Sequence, residues 1–160
     1  MQKVTLLCVG KLKEKFYADA AAEYVKRLSR WCKLAVIELP EERLPDNPSP
    51  AQIDAALERE AAAIRDRLPP SSSLVALCVE GQMRSSQELA QLMSTWSSRG
   101  EKQLVFLIGG SFGLHGSIKA QAWARLSMSP MTFPHHLARV MLLEQIYRAY
   151  QINAGTKYHK

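Results

Sequence analysis

Residues 104–113 read Leu-Val-Phe-Leu-Ile-Gly-Gly-Ser-Phe-Gly, an apolar run that ends in a glycine-rich turn. A continuous apolar run is typical of a strand that is buried on both faces, as the strands of a parallel sheet are. Gly109, Gly110 and Gly113 carry no side chain, so the backbone after this strand can turn tightly or approach another group closely. The stretch therefore predicts a buried strand over Leu104–Ile108 followed by a glycine loop.

Similar apolar runs lie on both sides of this strand. Val4–Val9, Leu34–Leu39 and Leu74–Val79 predict three earlier strands, and Leu126 marks a short later one. Between them, apolar residues recur every three or four positions, as on the buried face of a helix. These helical segments cover residues 17–31, 53–68, 89–96, 118–123 and 134–152. The alternation of strands and helices predicts an α/β layered fold with a mainly parallel sheet.

Two connecting segments are predicted to be loops. Pro40–Pro50 contains four prolines, which remove backbone hydrogen-bond donors, and Glu80–Arg84 follows the third strand. After the second loop, Ser85 and Glu88 have the spacing of a capping box, in which each side chain bonds the backbone N–H of the other residue. The sequence thus predicts a helix that begins directly after Ser85.

The composition is that of one soluble globular domain over residues 1–160, with 47% hydrophobic residues and a formal net charge of +6. The longest apolar runs have six residues, whereas a membrane helix needs roughly 18. Val4–Val9 also lacks the length and the cleavage site of a secretory signal, because it continues into the charged stretch Lys11–Lys15. We therefore expect a cytoplasmic protein without a membrane segment.

The positive charge is concentrated at the two ends of the chain. Residues 1–33 have eight basic and three acidic residues, a net charge of +5, and residues 101–160 have seven basic and two acidic, again +5. Residues 34–100 have six basic and ten acidic residues, a net charge of −4. If the two ends meet in space, they form a surface that attracts a polyanion such as RNA. A generic solubilising surface explains the same charge almost equally well.

Several kinds of chemistry are excluded by the motifs that the chain lacks. Cys8, Cys32 and Cys78 form no CxxC pair, which argues against a disulfide framework and against a zinc site. The four histidines have no cysteine or carboxylate at metal-ligand spacing, and the HExxH motif is missing. We therefore expect no metal centre.

Ligands of α/β folds bind where loops leave the carboxyl ends of the strands. Two predicted loops are in this position, Glu80–Ser85 after the third strand and Gly109–Gly113 after the fourth. The G-G-x-x-G pattern of the second loop is neither a dinucleotide fingerprint nor a P-loop, and a turn with positive φ explains it as well as a ligand site does. His135 lies at a predicted helix start, where the helix dipole favours a neutral ring.

The last predicted helix and the tail are rich in polar groups. Glu144 and Arg148 are four residues apart, the spacing of an ion pair on one helix face, and Arg139 is expected on a nearby part of the surface. Tyr158 and His159 follow a turn at Gly155. Such a tail could reach over a site, where aromatic rings stack on bases and arginines hold phosphates, or it could be a frayed terminus.

Five stretches of the chain resemble one known family. They are Val9–Lys13, Leu107–Leu114, Leu126–His135, Arg139 with Glu144–Ala149, and the ending Tyr158-His159-Lys160. In this combination and order, over residues 1–160, they are similar to the large-subunit ribosomal RNA methyltransferase H family of the SPOUT class. The resemblance implies a homodimer, a trefoil knot in the C-terminal third of each subunit, and S-adenosylmethionine as the cofactor.

The resemblance also assigns cofactor contacts to positions of this chain. They are Leu77 at the end of the third strand, Gly109, Gly110, Met128, Ser129, Pro130, Met131, Thr132 and Phe133. These are loop positions whose backbone amides and carbonyls can hold adenine. The substrate that the resemblance implies is 23S ribosomal RNA in the assembled 70S ribosome, methylated at N3 of a pseudouridine.

From these implied properties we form a hypothesis for the reaction. Glu144 or His159 accepts or relays the N3 proton, and Arg139, Arg148 and Tyr158 hold the base and its phosphates, with the tail acting in its own subunit or across the dimer. Two alternatives stay open, a SPOUT-class tRNA methyltransferase and a non-catalytic ribosome- or RNA-binding protein.

Overall fold

A five-stranded parallel sheet forms the centre of the computed structural model, which describes residues 1–160. The strands are β1 (Lys3–Val9), β2 (Lys33–Leu39), β3 (Ser72–Met83), β4 (Gln103–Ile108) and β5 (Ala124–Ser127), in the spatial order β2-β1-β4-β3-β5. The helices are α1 (Lys15–Leu28), α2 (Pro50–Arg67), α3 (Ser86–Ser98), α4 (Gly116–Gln121) and α5 (His135–Asn153). The predicted α/β fold with a parallel sheet is confirmed, and the trefoil knot stays a prediction.

Two apolar layers cover the two faces of the sheet. Alternate residues of β4 point to opposite faces, as the period of two requires, so Leu104 and Phe106 join one layer and Val105 joins the other. Helices α1, α3 and α5 pack on the first face, and α2 and α4 pack on the second. This double covering is why the strands are apolar without alternation.

The capping boxes fix where two helices begin. Ser85 Oγ accepts the Glu88 N–H, and the Glu88 carboxylate accepts the Ser85 N–H, so α3 starts as predicted. Ser49 and Gln52 form a second capping box, with Pro50 as the first residue of α2. The predicted Pro40–Pro50 loop therefore ends at Ser49, because proline suits the first helical position, where no backbone donor is needed.

The prediction of a loop over Glu80–Arg84 is wrong. Strand β3 continues to Met83 through a bulge, because Leu126 of β5 pairs first with Leu77 and then with Gln82. At Gly81, a Cβ atom would lie 2.8 Å from the backbone carbon of Leu126, so only glycine allows this approach. The bulge leaves residues 78–81 without a pairing partner on β5, at the carboxyl edge of the sheet.

Three helix boundaries also differ from prediction. Helix α1 ends at Leu28, and the N–H groups of Trp31 and Cys32 both bond Leu28 O in a turn that leads into β2. Helix α4 begins at Gly116, where His115 caps it by accepting the Ser117 N–H, and Trp123 lies beyond its end. Pro134 precedes α5 as its N-cap rather than lying in its first turn. None of the helices is long and apolar enough to span a membrane.

Candidate functional site

A cavity of about 740 Å³ opens at the carboxyl ends of β3, β4 and β5. Its walls come from the bulge at residues 78–80, the glycine loop 109–114 and the segment 127–135. Ligand sites of proteins typically have volumes of about 300–1,000 Å³ and mix apolar walls with a few polar groups. The size and position of this cavity match those of the ligand sites of other parallel α/β folds.

The cavity gathers nearly all residues that the resemblance assigns to the cofactor. Those that line it are Leu77, Gly109, Gly110, Met128, Ser129, Met131, Thr132 and Phe133. Pro130 does not line it and is exposed. Segments from three distant parts of the sequence therefore meet around one space.

The glycine loop is compact because its backbone packs on itself. The Gly113 N–H donates to Gly110 O at 3.1 Å, and Gly113 has a φ of +79°, which favours glycine. A Cβ atom on Gly109 would lie 2.5 Å from Gly113 O. The interpretation of the G-G-x-x-G pattern as a tight turn with positive φ is confirmed, and the same turn lines the cavity, where a ligand site stays a prediction.

Glu41 braces the glycine loop from outside, and sequence reasoning missed it. Its carboxylate accepts the Ser111 N–H at 2.7 Å and lies so close to Gly110 that a Cβ there would be 2.5 Å from Oε1. Glu41 comes two residues after β2, and β2 is separated from β4 by β1 in the sheet. The only sequence signal was its position at the carboxyl end of a strand.

The segment before α5 is held by short-range serine bonds. Ser129 Oγ accepts the Met131 N–H at 3.0 Å, and Ser127 Oγ donates to Ser129 O at 3.2 Å. These bonds keep the segment folded back on itself along the cavity. Two apolar side chains that line the cavity stay exposed, Met131 at 72% and Phe112 at 48%.

The charged groups of the cavity are few. Lys119 of α4 and Glu80 of the bulge are the only basic and acidic side chains of its lining other than His135, and they form an ion pair. Hydrogen bonding to Lys119 lowers the pKa of Glu80. Burial lowers the pKa of His135, with a smaller effect from His136. Burial therefore favours the neutral ring that was expected at His135.

A second polar cluster lies on α5 and the tail. Glu144 Oε1 accepts bonds from Arg148 Nε at 2.9 Å and Nη2 at 2.5 Å, and from Tyr158 Oη at 3.2 Å. Gln145 Nε2 donates to Glu144 Oε2 at 2.8 Å. The Arg148 guanidinium also lies 4.8 Å from the centre of the Tyr158 ring. The predicted Glu144–Arg148 pair is confirmed, and the tail folds onto α5 instead of extending freely.

His159 completes this cluster. Arg148 Nη1 lies 3.1 Å from His159 Nδ1, and Gln87 Nε2 lies 3.0 Å from His159 Nε2. A guanidinium only donates, so His159 Nδ1 accepts the bond from Arg148. Glu144, Arg148, Tyr158 and His159 are thus brought together, but none of them lines the cavity of their own chain. Glu144 lines a neighbouring groove that shares Ser127 and Met128 with the cavity.

The match to known proteins extends over almost the whole chain. A family model described as predicted SPOUT methyltransferase matches residues 2–159. The chain belongs to the SPOUT methyltransferase family. SPOUT methyltransferases generally transfer a methyl group from S-adenosylmethionine to RNA, so the cavity becomes the candidate cofactor site of this SPOUT protein.

Arg139 of this SPOUT chain has a different position from the expected one. Its side chain is 4% exposed, and its guanidinium donates to Glu38 Oε2 at 2.7 Å and to Gly10 O at 3.0 Å. The prediction of Arg139 on the surface near Glu144 and Arg148 is therefore wrong. Helix α5 is apolar on most sides, so sequence spacing could not show that position 139 faces the loops after β1 and β2. The buried guanidinium joins elements of the fold and is not exposed to RNA.

The two basic ends of the chain meet through α1 and α5, which pack side by side. Arg27 of α1 lies over the rings of Tyr24 and Tyr147, at 5.3 and 5.8 Å from their centres. Lys26, Arg30 and Trp31 are on the same part of the surface. In a SPOUT protein this combination of cations and aromatic rings suits contacts with RNA.

Proposed function

We propose that this SPOUT protein uses S-adenosylmethionine to methylate N3 of a pseudouridine in 23S ribosomal RNA of the assembled ribosome. The observation that carries the proposal is the cavity at the carboxyl ends of β3, β4 and β5. It is lined by eight of the nine positions that the resemblance to the large-subunit ribosomal RNA methyltransferase H family assigns to the cofactor. The family match supports the class of reaction. The choice of ribosomal RNA rests on the resemblance alone.

The cavity fits S-adenosylmethionine in size and in chemistry. About half of its lining is apolar, which suits the adenine ring. The glycines let backbone N–H and C=O groups reach polar edges of a ligand, and the Lys119–Glu80 pair offers one charge of each sign. When bound, S-adenosylmethionine supplies an electrophilic methyl group on a sulfonium centre.

The chain's own residues contribute mainly positioning, which supplies a large share of the acceleration in such transfers. The loop 109–114 and the segment 127–135 fix the walls of the cavity on two sides. Glu144 accepts four hydrogen bonds, so its role in our proposal is to hold Arg148 and Tyr158 rather than to take a proton. Arg148 and Tyr158 then hold the target base and its phosphates.

His159 is the residue that we propose for the N3 proton. Its Nδ1 accepts a bond from Arg148 and so is the ring atom that can take up a proton once the substrate displaces that bond. In its own chain His159 lies beside Gln87 of α3, away from the cavity lining. We therefore propose a homodimer in which the tail of one subunit serves the cavity of the other, with the knot of each subunit surrounding its cavity. Because the proposed substrate is the ribosome, we also propose that the protein acts in the cytoplasm.

The test combines binding and transfer. Calorimetric titration with S-adenosylmethionine is expected to give saturable binding, and incubation with 70S ribosomes lacking this methyl group is expected to add one methyl to the pseudouridine, read by mass spectrometry of 23S RNA fragments. Ribosomes that already carry the methyl are the control substrate. Transfer to free tRNA and not to ribosomes would indicate a SPOUT-class tRNA methyltransferase instead. Absence of cofactor binding would indicate a non-catalytic RNA-binding protein.

A further inference from the structure

The Lys119–Glu80 pair lies where two elements border the cavity. Glu80 comes from the bulge of β3, and Lys119 comes from α4, the helix after the glycine loop. Both residues line the cavity, and their side chains form a direct ion pair. The Lys119 side chain is 25% exposed and the Glu80 side chain 54% exposed, so the pair lies at the rim and not in the interior.

No other full charge borders the cavity. The remaining lining residues are apolar, glycine or hydroxyl-bearing, apart from Cys78 and the partly buried His135. A ligand with both an ammonium and a carboxylate thus finds an opposite charge for each group, Glu80 for the ammonium and Lys119 for the carboxylate, side by side at the rim. A pair of opposite charges held side by side is complementary to the two charges of an α-amino acid.

We propose that Lys119 and Glu80 form a receptor for the α-amino acid end of the ligand, with Lys119 binding the carboxylate and Glu80 the ammonium. This inference rests on the proposed function, because it assigns one end of the cofactor to one end of the cavity. The adenosyl end then lies toward the glycine loop and the segment 127–135. On binding, the Lys119–Glu80 contact is replaced by two contacts with the ligand, so four charges alternate in sign and none is left unpaired.

The receptor makes binding depend on the amino acid end of the ligand. A ligand without one of the two charges leaves the matching charge of the receptor without its partner, which we expect to cost about tenfold in Kd, or about 1.4 kcal/mol. The wild-type chain is therefore expected to bind S-adenosylmethionine about tenfold more tightly than decarboxylated S-adenosylmethionine, which lacks the carboxylate. The deaminated analogue lacks the ammonium and is also expected to bind weakly, because Glu80 then has no ligand group to pair with.

The experiment measures these ligands by calorimetry on three variants. Lys119→Met is expected to abolish the preference for the carboxylate, and Glu80→Gln to reduce the preference for the ammonium. Lys33→Met is the matched control, because Lys33 is exposed at the amino end of β2, the opposite edge of the sheet. Methylthioadenosine, which has no amino acid end, is expected to bind all variants and the wild type equally. Thermal unfolding verifies that each variant is folded.

The outcomes separate this inference from the proposed function. If Lys119→Met still discriminates tenfold between the two ligands, or loses affinity equally for both, the receptor is wrong and the cavity remains the cofactor site. If neither S-adenosylmethionine nor methylthioadenosine binds the wild-type chain, the proposed cofactor site itself is wrong. Because Glu80→Gln keeps a hydrogen-bonding group for Lys119, it tests the ammonium contact even if Lys119→Met fails to fold.

Discussion

The carboxylate of Glu41 and the backbone N–H of Ser111 are 70 residues apart in the chain and are joined by a hydrogen bond of 2.7 Å. This bond ties the loop after β2 to the glycine loop that forms one wall of the cavity. The cavity itself is built from later parts of the chain, so Glu41 acts on it from outside. The relationship makes the geometry of the glycine loop depend on a residue that does not border the cavity.

Replacement of Glu41 is expected to weaken cofactor binding through this loop. Glu41→Leu removes the acceptor of the Ser111 N–H and should raise the Kd for S-adenosylmethionine about tenfold, in line with about 1.5–3 kcal/mol for a bond to a charged group. Hydrogen exchange of the Ser111 amide should become faster. Glu41→Gln keeps an acceptor and should retain most of the affinity. Glu42→Leu is the control, because the Glu42 side chain makes only an exposed pair with Arg59 and its backbone bond to Glu60 does not depend on the side chain. An unchanged Kd in Glu41→Leu would contradict this coupling.

Gly110→Ala should act through the same contact. The new Cβ would lie 2.5 Å from Glu41 Oε1, so the carboxylate must move and its bond to Ser111 is strained or lost. We expect a rise in Kd similar to that of Glu41→Leu and a double variant that is clearly less than additive. Gly116→Ala adds a Cβ with no atom within 4 Å and should change stability by less than about 0.5 kcal/mol. If the binding free energies lost in the two single variants add up fully in the double variant, measured by calorimetric titration, Gly110 and Glu41 act separately.

Arg139 is expected to affect stability rather than RNA affinity. Arg139→Met removes the bonds to Glu38 and Gly10 O and should lower the free energy of unfolding by about 2–3 kcal/mol, measured with urea. Arg139→Lys should restore only part of it, since an ammonium cannot reproduce the two-branched contact. Arg30→Met changes an exposed arginine and is the control for the free energy of unfolding, which it should leave nearly unchanged. Loss of ribosome binding in Arg139→Met without loss of stability would overturn this assignment.

The lowered pKa of His135 predicts a pH dependence of stability. The unfolded chain binds a proton near pH 6.5, the ordinary value, whereas the folded chain binds it only at lower pH because burial disfavours the charged ring. Unfolding is therefore increasingly favoured as the pH falls from about 7 towards the folded pKa. His135→Asn should lessen the loss of stability between about pH 7 and pH 5 in urea titrations. An identical loss in the variant and the wild type would exclude His135 as a contributor.

The fold was predictable from apolar runs, and much of the site was not. Leu104–Ile108 and Val4–Val9 are buried on both faces, so their composition alone indicates central strands of a parallel sheet. The bulge of β3 was missed because Glu80 and Gly81 interrupt the apolar run while the pairing with β5 continues. Contacts such as Arg139 with Gly10 and Glu38 join residues 129 and 101 positions apart. No local pattern contains such information.

Eight of the nine positions that the resemblance assigns to the cofactor line the cavity, because they lie in or beside loops at strand ends, whose place follows from the fold. Glu41 and Lys119 were missed for a physical reason. Their partners, Ser111 and Glu80, come from other elements of the chain, and an exposed glutamate or lysine is in most sequences only part of the solvated surface.

The tail is expected to act on turnover and not on cofactor affinity. A chain ending at Gly155 lacks Tyr158 and His159 and should lose about 100-fold or more in methyl transfer, with an unchanged Kd for S-adenosylmethionine. Lys157→Ala leaves the contacts among Glu144, Arg148, Tyr158 and His159 intact and is the control.

Co-purified heterodimers test whether the tail acts within its own subunit or on the other subunit. One subunit carries Gly109→Val in its cavity, and the other has the shortened tail. Partial recovery of activity indicates a tail that acts across the dimer, and no recovery indicates action within one subunit.

The clamp of Arg139 on Gly10 and Glu38 also has a consequence for synthesis of the chain. The first four strands can emerge from the ribosome and pair before residue 139 is made, but β5, the segment 127–135 and the clamp all come from the final part of the chain. A nascent chain therefore has a nearly complete sheet and only part of the cavity wall. The ability to bind the cofactor should therefore appear late and abruptly during synthesis. A prematurely terminated chain would be partly folded but would not compete with the full-length chain for the cofactor.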